Sequence, residues 1–236
     1  AEEVWADLGV RCADGRWRVI HNPIDTALFQ APPRDPEQRF KVLSVRPHDS
    51  RIYANDLVRQ AIELMSTDEH FASLEFELVG DGPLWDENFR GLDRYANVRI
   101  RREFLRQSEM ADLHRKYGVF LVPTRGDTQG VSRDEAMSSG LVPVTCRVGS
   151  VAEFVDDDSG ILCPPEDPRA LADAVMLLAK DPVLFSRLSV GAAARVRGQS
   201  GLEIVLPQEL RMLGVQVKED RLTVVAAGKS PKFINL

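Results

Sequence analysis

The segment from Pro123 to Glu153 holds the densest set of residues that could do chemistry. An apolar strand pattern ends at Pro123, a polar loop containing glycine follows, and a helix pattern begins near Gly130. Free backbone N–H groups and the positive end of the helix dipole would then face the carboxyl edge of a sheet, where a phosphate binds readily. The sequence therefore predicts an anion site at the start of this helix.

Two carboxylates lie eight residues apart in the same segment. Asp127 falls in the loop, and Glu135 falls about a turn and a half inside the helix. Both can face one ligand that lies across the helix start, and carboxylates accept hydrogen bonds from the vicinal hydroxyls of a ribose or a hexose. The spacing alone fits a structural interpretation equally well, in which Asp127 caps the helix and Glu135 is a surface charge.

A second cluster follows the apolar run FKVLSV. Arg46 and Arg51 lie in the loop after this predicted strand, where two guanidinium groups could clamp a diphosphate. The alternative is a pair of solvated arginines that pair with Asp49 or Asp56. His48 lies in the same loop, and we interpret it as a surface residue rather than a catalyst.

A third cluster is the turn VGDGPLW. Gly80, Gly82 and Pro83 predict a tight turn after a strand, which would let a ligand approach the backbone closely. The chain has no GxGxxG, GxxxxGK[ST] or GxSxG motif. Dinucleotide binding, a P-loop and a nucleophile elbow therefore have no direct support.

Strand and helix patterns alternate along the rest of the chain. The pattern predicts short strands at RWRVIHN, FKVLSV, LEFELVG, ANVRIR, GVFLVP, LVPVTC and GILC. Helix patterns separate them, and two helices have Asp-Pro starts at Asp167 and Asp181. This order predicts an α/β fold, a Rossmann-like parallel sheet with helices on both faces, in which ligands bind at the carboxyl ends of the strands.

The C-terminal tail departs from that alternation. LEIVLPQELRMLG predicts a helix that is broken near Pro207, and VQVKEDRLTVVAAG alternates around Glu219-Asp220 as a hairpin does. The hairpin could be an added edge of the sheet or the start of a further domain, and we favour the second.

Composition excludes several classes of protein. A net charge of -6 gives no support for a nucleic-acid partner, and no run approaches the length of a transmembrane helix or has the pattern of a signal peptide. The three cysteines, Cys12, Cys146 and Cys163, are too few and too far apart for a disulfide framework or a zinc site. These features favour a cytoplasmic protein of ordinary globular composition.

Together, these motifs resemble the C-terminal, donor-binding domain of GT-B glycosyltransferases, in particular the large retaining family called GT4 or group 1. The resemblance covers residues 17 to about 200 and is most specific over 123–165. The family's pair of glutamates and its A-M-A-x-G-x-P-V motif are matched in register by the following residues: Asp127, Gly130, Glu135, Ala136, Met137, Gly140, Pro143 and Val144. Aspartate replaces the first glutamate.

Weaker matches extend the resemblance to both sides. They are Asn22-Pro23-Ile24-Asp25 with Phe29 for the family's first strand, Arg46 for its arginine, Gly80-Asp81-Gly82-Pro83 for its G-x-G-P turn, Arg102 to Leu105 for its base-reading loop, and Gly149 to Glu153 for its G-G-x-x-E. The family's lysine falls near Tyr53, and Arg51 is the substitute that we expect.

The resemblance implies a role for each matched residue. Glu135 would bind the donor ribose, and Asp127 would contact the donor sugar. Arg46 and Arg51 would clamp the diphosphate, helped by amides at Gly130 and Val131. The remaining predicted ligand contacts are Gly82, Pro83, Phe104 and Leu105, of which the last two would read the base. The implied reaction is sugar transfer from a nucleotide sugar with retention, driven by electrostatic stabilisation of the departing diphosphate and without a metal or other cofactor.

The resemblance also implies a division of the chain. Residues 1–16 would end a hinge helix, 17–200 would form the nucleotide-sugar-binding domain, and 201–236 would form the helix and hairpin. The acceptor-binding domain would precede residue 1, so we expect this chain to bind a nucleotide weakly and to have little transferase activity alone. A role in polysaccharide biosynthesis is expected, and peripheral membrane association of the full-length enzyme is left open.

Three other functions compete with a transferase domain. A non-catalytic GT-B-like interaction module in a larger protein is kept open by Asp127 and Tyr53, which depart from the family pattern. A GT-B nucleotide-sugar epimerase is disfavoured because those enzymes do not usually carry the EAM-x-x-G-x-P-V helix. A Rossmann oxidoreductase is disfavoured further, since no glycine fingerprint is present.

Overall fold

The computed structural model describes residues 18–30, 32–213, 216–218, 221–224 and 232–233. The predicted end of a hinge helix at 1–16 lies outside the described residues. The rest of the predicted α/β pattern falls inside them and can be compared element by element.

Six parallel strands form the central sheet. They are β1 (Lys41–Val45), β2 (Glu75–Gly80), β3 (Val98–Arg102), β4 (Val119–Leu121), β5 (Val142–Cys146) and β6 (Ile161–Cys163). The spatial order is β3-β2-β1-β4-β5-β6. This is the doubly wound order, so the predicted Rossmann-like fold is confirmed.

Helices cover both faces of the sheet. In chain order they are α1 (Asn55–Met65), α2 (Trp85–Phe89), α3 (Gln107–His114), α4 (Val131–Ser138), α5 (Val151–Phe154), α6 (Pro168–Lys180) and α7 (Pro182–Gln199). The Asp-Pro signals are confirmed as helix starts, because the side chains of Asp167 and Asp181 accept hydrogen bonds from first-turn N–H groups of α6 and α7.

Alternation along the strands divides the core between the two faces. Val42 of β1 packs in the larger apolar cluster with α1 and α6, whereas its neighbour Leu43 packs in a second cluster with α3 and α4. Successive strand residues point to opposite faces, so a parallel sheet covered on both sides needs apolar residues in unbroken runs. The runs FKVLSV and LVPVTC meet that need.

The N-terminal segment, residues 18–30, corrects one expectation. The strand predicted at RWRVIHN is absent from its described part, and the segment makes only an isolated bridge between Ile24 and Gly201. Ile24 donates to the carbonyl of Ser200 at 2.8 Å and accepts from Leu202 at 2.9 Å. The backbone of Ile24 therefore makes its hydrogen bonds at a helix junction instead of at the sheet. Phe29, in the same segment, is fully buried.

The C-terminal helix and strands agree only in part with the prediction for the tail. Helix α8 (Leu202–Met212) continues through Pro207, so the predicted break is wrong. Proline has no N–H to donate to the carbonyl four residues earlier, which is that of Glu203. Because Glu203 is exposed, water can bond to this carbonyl. Strands β7 (Gln216–Lys218) and β8 (Arg221–Val224) form the predicted antiparallel hairpin, and β9 (Lys232–Phe233) pairs with β8. These strands form a separate three-stranded sheet rather than an edge of the central one.

Candidate functional site

The site lies where the doubly wound sheet reverses direction. β1 and β4 are neighbours, and the chain leaves β1 for a helix on one face and β4 for a helix on the other. A crevice forms outside the carboxyl ends of two such strands. It contains an open cavity of about 640 Å³, lined by Asn22, Arg46, Ile52, Tyr53, Thr124, Gly126, Asp127, Thr128, Gln129, Gly130, Val131 and Gly149.

Arg46 supplies the cation of this cavity. Its guanidinium lies 4.0 Å from the Asp127 carboxylate and 5.2 Å from the centre of the Tyr53 ring, and the side chain is buried. Burial lowers the pKa of Arg46 from its ordinary value, and the nearby Asp127 carboxylate opposes that shift. Within the described residues its Nε atom has no hydrogen-bond partner, so donors remain for an anion.

The start of α4 borders the same cavity. Gly130 is its N-cap residue in the left-handed region (φ 81°), and none of the side chains that the structure describes caps the helix. The first-turn N–H groups are therefore available to a ligand, as predicted for an anion site. The alternative in which Asp127 caps the helix is excluded, because its carboxylate faces Arg46 instead.

Glu135 is buried inside α4, with 6% of its surface exposed. The alternative in which it is a surface charge is therefore also excluded. Gln107, at the start of α3, donates a hydrogen bond to its carboxylate at 3.4 Å. Burial raises the pKa of Glu135 to about 7, since desolvation disfavours the charged carboxylate.

The loop predicted to read a base directly precedes α3. Phe104 is 71% exposed, and Leu105 is partly buried. The N–H of Glu103 donates to the carbonyl of Gly80 at 3.0 Å, which fixes the loop against the end of β2. Gln107 joins α3 to Glu135, but neither this carboxylate nor Phe104 or Leu105 lines the cavity, so contact of these three residues with a ligand stays a prediction.

The structure does not bring Arg51 to the cavity. Arg51 begins a short 3₁₀ helix, Arg51–Tyr53, and its side chain forms an ion pair with Glu87 at 2.6 Å. Tyr53, two residues later on the same turn, lines the cavity instead. The geometry thus separates the two arginines that the sequence placed in one clamp.

Gly82 and Pro83 also lie outside the cavity lining. Gly82 has φ 145°, and a Cβ there would come within 2.5 Å of the backbone of His48. The close approach predicted for this turn is therefore made by the chain's own β1–α1 loop. A role for these two residues in ligand binding stays a prediction.

The expectation that His48 is a surface residue is wrong. It is fully buried, packs against Trp85 and Phe89, and shares a 3.0 Å hydrogen bond with Asn88 through Nδ1. Burial lowers its pKa to about 4. The segment WDENF supplies the two aromatic rings, so α2 is what covers His48.

In the part of the chain that the structure describes, no group of three or more His, Cys, Asp or Glu side chains is placed to hold a metal ion. In the same residues no helix has both the length and the apolar character needed to cross a bilayer.

Comparison with known proteins identifies the family. The sequence profile described as "Glycosyl transferases group 1" matches residues 40–181, which include the whole central sheet from β1 to β6. The chain belongs to the group 1 glycosyltransferases. A curated relative, D-inositol 3-phosphate glycosyltransferase 1 of Catenulispora acidiphila, is 28% identical over 214 residues. That alignment covers 82% of this chain and 50% of the relative, so the chain spans half of that relative's length.

Solved structures agree with the fold. HepE of Anabaena in complex with UDP superposes with a TM-score of 0.74 at 17% identity, over 90% of this chain and 61% of HepE. The C-terminal domain of the group 1 glycosyltransferase LpcC of Francisella tularensis gives a TM-score of 0.64 at 16% identity, over 76% of this chain and 99% of that domain. The second match shows that a separately solved C-terminal domain of a group 1 glycosyltransferase has this architecture.

Sequence reasoning missed Gln129, which lies inside the group 1 motif. Its side-chain amide accepts from the N–H of Asn22 at 2.7 Å and donates to the carbonyl of Asn22 at 2.9 Å. It also donates to Asp134 at 3.1 Å. A glutamine in a polar loop carries no signal of its bonds to Asn22, because that residue is more than a hundred positions away and meets Gln129 only in the fold.

Thr124 and Arg125 were missed as well. Thr124 Oγ1 and the N–H of Arg125 both donate to the carbonyl of Ile52, at 3.1 and 2.8 Å. The Arg125 guanidinium makes two hydrogen bonds to Asp56 at 2.8 Å and two to Glu166 at 2.7 and 2.9 Å. Together they fix the loop after β4 to the 3₁₀ helix after β1, across the mouth of the site.

Proposed function

We propose that this chain is the donor-binding domain of a retaining glycosyltransferase and binds a nucleoside diphosphate sugar. One observation carries the proposal: an unpaired helix start and a buried arginine converge on one cavity at the switch point of the sheet. An arginine and free N–H groups at a helix start are the groups that bind phosphate.

Each part of the donor has a place in this proposal. The diphosphate contacts Arg46 and the N–H groups at Gly130 and Val131. The transferred sugar contacts Asp127, and the ribose hydroxyls donate to Glu135. The base lies against the loop that carries exposed Phe104 and partly buried Leu105 and that precedes α3, whose Gln107 donates to Glu135. HepE, which has the same fold, was solved in complex with UDP, and this supports a nucleotide as the ligand.

The chemistry assigned to the domain is electrostatic. The bond between the anomeric carbon and the diphosphate oxygen breaks, and its electron pair leaves with the diphosphate. The oxygen of an acceptor hydroxyl bonds to the anomeric carbon, and the proton of that hydroxyl passes to the leaving diphosphate oxygen. Charge therefore grows on the diphosphate, where Arg46 and the dipole of α4 stabilise it. Neither contribution requires a metal. Retention at the anomeric carbon, and a role in polysaccharide synthesis, rest on the family resemblance.

Acceptor binding is assigned to residues outside this domain. The cavity is open, and the chain spans only half of its curated relative. We therefore expect the chain alone to bind a nucleoside diphosphate but to transfer sugar poorly. A non-catalytic module that shares this fold remains the second candidate, favoured by the low positive charge of the cavity, to which the described residues contribute only Arg46.

Calorimetric titration of the 236-residue chain with UDP, GDP and ADP tests the proposal. One nucleotide should bind, and Arg46→Ala should weaken it by at least about tenfold, because a charge-assisted hydrogen bond to phosphate is lost. Glu135→Ala should weaken the same nucleotide through the ribose. Arg51→Ala is the matched control, expected to change affinity less than about twofold because its guanidinium pairs with Glu87.

One result would contradict the proposal, and a second would correct the part assigned to Arg51. Absence of binding to all three nucleotides at millimolar concentration would favour the non-catalytic module. Equal losses for Arg46→Ala and Arg51→Ala would mean that the ion pair of Arg51 opens to form the clamp that the family resemblance implies.

A further inference from the structure

We infer that Tyr53 is a positioning residue, whose ring holds the guanidinium of Arg46 at the diphosphate position. The inference rests on the proposed function, since it assumes that a diphosphate occupies the cavity. It concerns a residue that stands, in this chain, where the family resemblance called for a cation.

Few groups hold the Arg46 guanidinium in place. Within the described residues, Nε has no hydrogen-bond partner, and the nearest carboxylate, that of Asp127, is 4.0 Å away. That separation is too long for a hydrogen bond. The ring of Tyr53 lies 5.2 Å from the guanidinium carbon, within the range in which an aromatic face attracts a cation. Tyr53 is therefore the contact best placed to fix the charge.

Tyr53 is itself held firmly. It ends the 3₁₀ helix that begins after Ser50, whose Oγ accepts from the N–H of Ile52 at 3.3 Å. The carbonyl of Ile52 accepts from both Thr124 and the N–H of Arg125, and the Arg125 guanidinium donates to the carbonyl of Arg51 at 2.8 Å. The loop after β4 thus fixes the turn that carries the ring.

The backbone after Tyr53 is strained. Ala54 adopts a left-handed conformation (φ 49°, ψ 32°) that non-glycine residues rarely take, and it is fully buried. Such a conformation persists only where the surroundings impose it, and these sites cluster at ligand-binding positions. Here the strained residue turns the chain from the 3₁₀ helix into α1 and leaves Tyr53 facing the cavity.

The orientation of Arg46 matters because few cationic side chains are available to bind a diphosphate in the cavity. Among the described residues that line the cavity, Arg46 is the only cationic side chain, and the second arginine of the loop pairs with Glu87. A diphosphate bound by one arginine depends more strongly on where that arginine points than one bound by two. A ring that restricts Arg46 before binding lowers the entropy lost on binding.

A double-mutant cycle with UDP, GDP and ADP tests the inference. Tyr53→Phe keeps the ring and should bind the nucleotide within about twofold of the wild type, whereas Tyr53→Leu should weaken binding about fivefold. In the Arg46→Ala background, Tyr53→Leu should have no further effect, because the ring acts only through Arg46. A purely structural role of Tyr53 would weaken binding in both backgrounds.

Tyr95→Leu is the matched control. It removes another arginine–tyrosine contact, in which the Arg94 guanidinium lies 4.7 Å from the ring centre, away from the cavity lining. Nucleotide affinity should not change in this variant. Thermal unfolding of every variant, followed by circular dichroism, shows that the folded protein was titrated.

The outcomes separate the two proposals. If none of the three nucleotides binds the wild type, the proposed function and this inference both fail. If a nucleotide binds and Arg46→Ala weakens it, but Tyr53→Leu leaves the affinity unchanged or weakens it equally in the Arg46→Ala background, the proposed function stands and this inference is wrong.

Discussion

Arg133, Asp134 and Glu135 are three consecutive ionisable residues of α4, and all three side chains are buried. Arg133 and Asp134 form an ion pair at 2.9 Å with 2% and 1% of their side chains exposed. A buried pair is tolerated only when its remaining polar atoms are also bonded, and Gln129 supplies those bonds through its amide and its backbone carbonyl. Among the described residues, Glu135 is paired with no cation, and its buried carboxylate accepts one long hydrogen bond, from Gln107.

Replacing Glu135 should therefore stabilise the protein. Its pKa is raised from 4.5 to about 7 by burial, so between these values the folded chain keeps a proton that the unfolded chain has released. The folded state is favoured at the acidic end of this window and loses that advantage as the pH rises through about 7. Glu135→Gln removes the cost of burying a charged carboxylate. The variant should therefore be more stable than the wild type by about 1–3 kcal/mol at pH 8, with little difference near pH 4.5.

Urea unfolding from pH 4.5 to pH 8, a range that brackets the pKa of about 7, measures this difference. Glu75→Gln, at an exposed carboxylate beside Lys41, is the control and should change stability by less than about 0.5 kcal/mol at every pH. The same Glu135→Gln protein should bind nucleotide more weakly, because an amide offers the ribose hydroxyls one neutral acceptor oxygen where a carboxylate offers two charged ones. A gain in stability that grows toward acid pH would contradict the buried-carboxylate explanation.

At the scale of elements, the start of α4 depends on one glycine. Gly130 has φ 81°, and a Cβ there would lie 2.8 Å from Asp127 Oδ2 and from Arg133 Nη1. The missing side chain thus lets the loop, the carboxylate and the buried arginine meet. Gly198, near the end of α7, has open space around it and carries no such constraint.

Gly130→Ala and Gly198→Ala form a matched pair. The first should destabilise the protein by about 1–3 kcal/mol, from left-handed strain and from the displaced side chains, and should weaken nucleotide binding. The second should stabilise it by about 0.5–1 kcal/mol, since alanine favours a helix interior. Chemical denaturation measures both; a tolerated Gly130→Ala with full nucleotide affinity would show that the loop can rearrange.

At the scale of the whole molecule, the N-terminal segment connects distant parts of the fold. Ile24 bridges the junction of α7 and α8 at Gly201, and Asn22 is bonded through its backbone to the side chain of Gln129. The cavity wall is thereby tied to the segment through which the chain enters the domain. Because Asn22 also lines the cavity, movement of this segment should change the shape of the cavity wall.

Gln129→Ala tests that connection. It leaves the backbone N–H and carbonyl of Asn22 without their partner and removes one hydrogen bond from Asp134 Oδ2, which should cost about 1–3 kcal/mol. Hydrogen exchange should accelerate at the Asn22 N–H and leave the β1 and β4 amides protected. Gln38→Ala, which removes one surface hydrogen bond to Arg115, should be nearly neutral. Uniform loss of protection across the sheet would mean that Gln129 stabilises the whole domain instead.

The sequence by itself determined the fold and the position of the site. Unbroken apolar runs such as FKVLSV suit strands that are buried on both faces, and Asp167 and Asp181 began their helices as local capping chemistry requires. The start of α4 near Gly130, with its uncapped first turn, was also predictable, because the polar loop between Pro123 and Gly130 is local. Each of these features depends on residues within one turn or one strand of each other.

Only the tertiary structure decided which side chains meet. His48 became buried because α2 covers it, and Arg51 left the site because Glu87 of that helix lies within 2.6 Å. Tyr53 and Gln129 gained their positions from the loops after β1 and β4, which meet only when those strands pair across more than seventy residues of chain. Such contacts depend on the assembled edge of the sheet, and spacing along the sequence contains no measure of them.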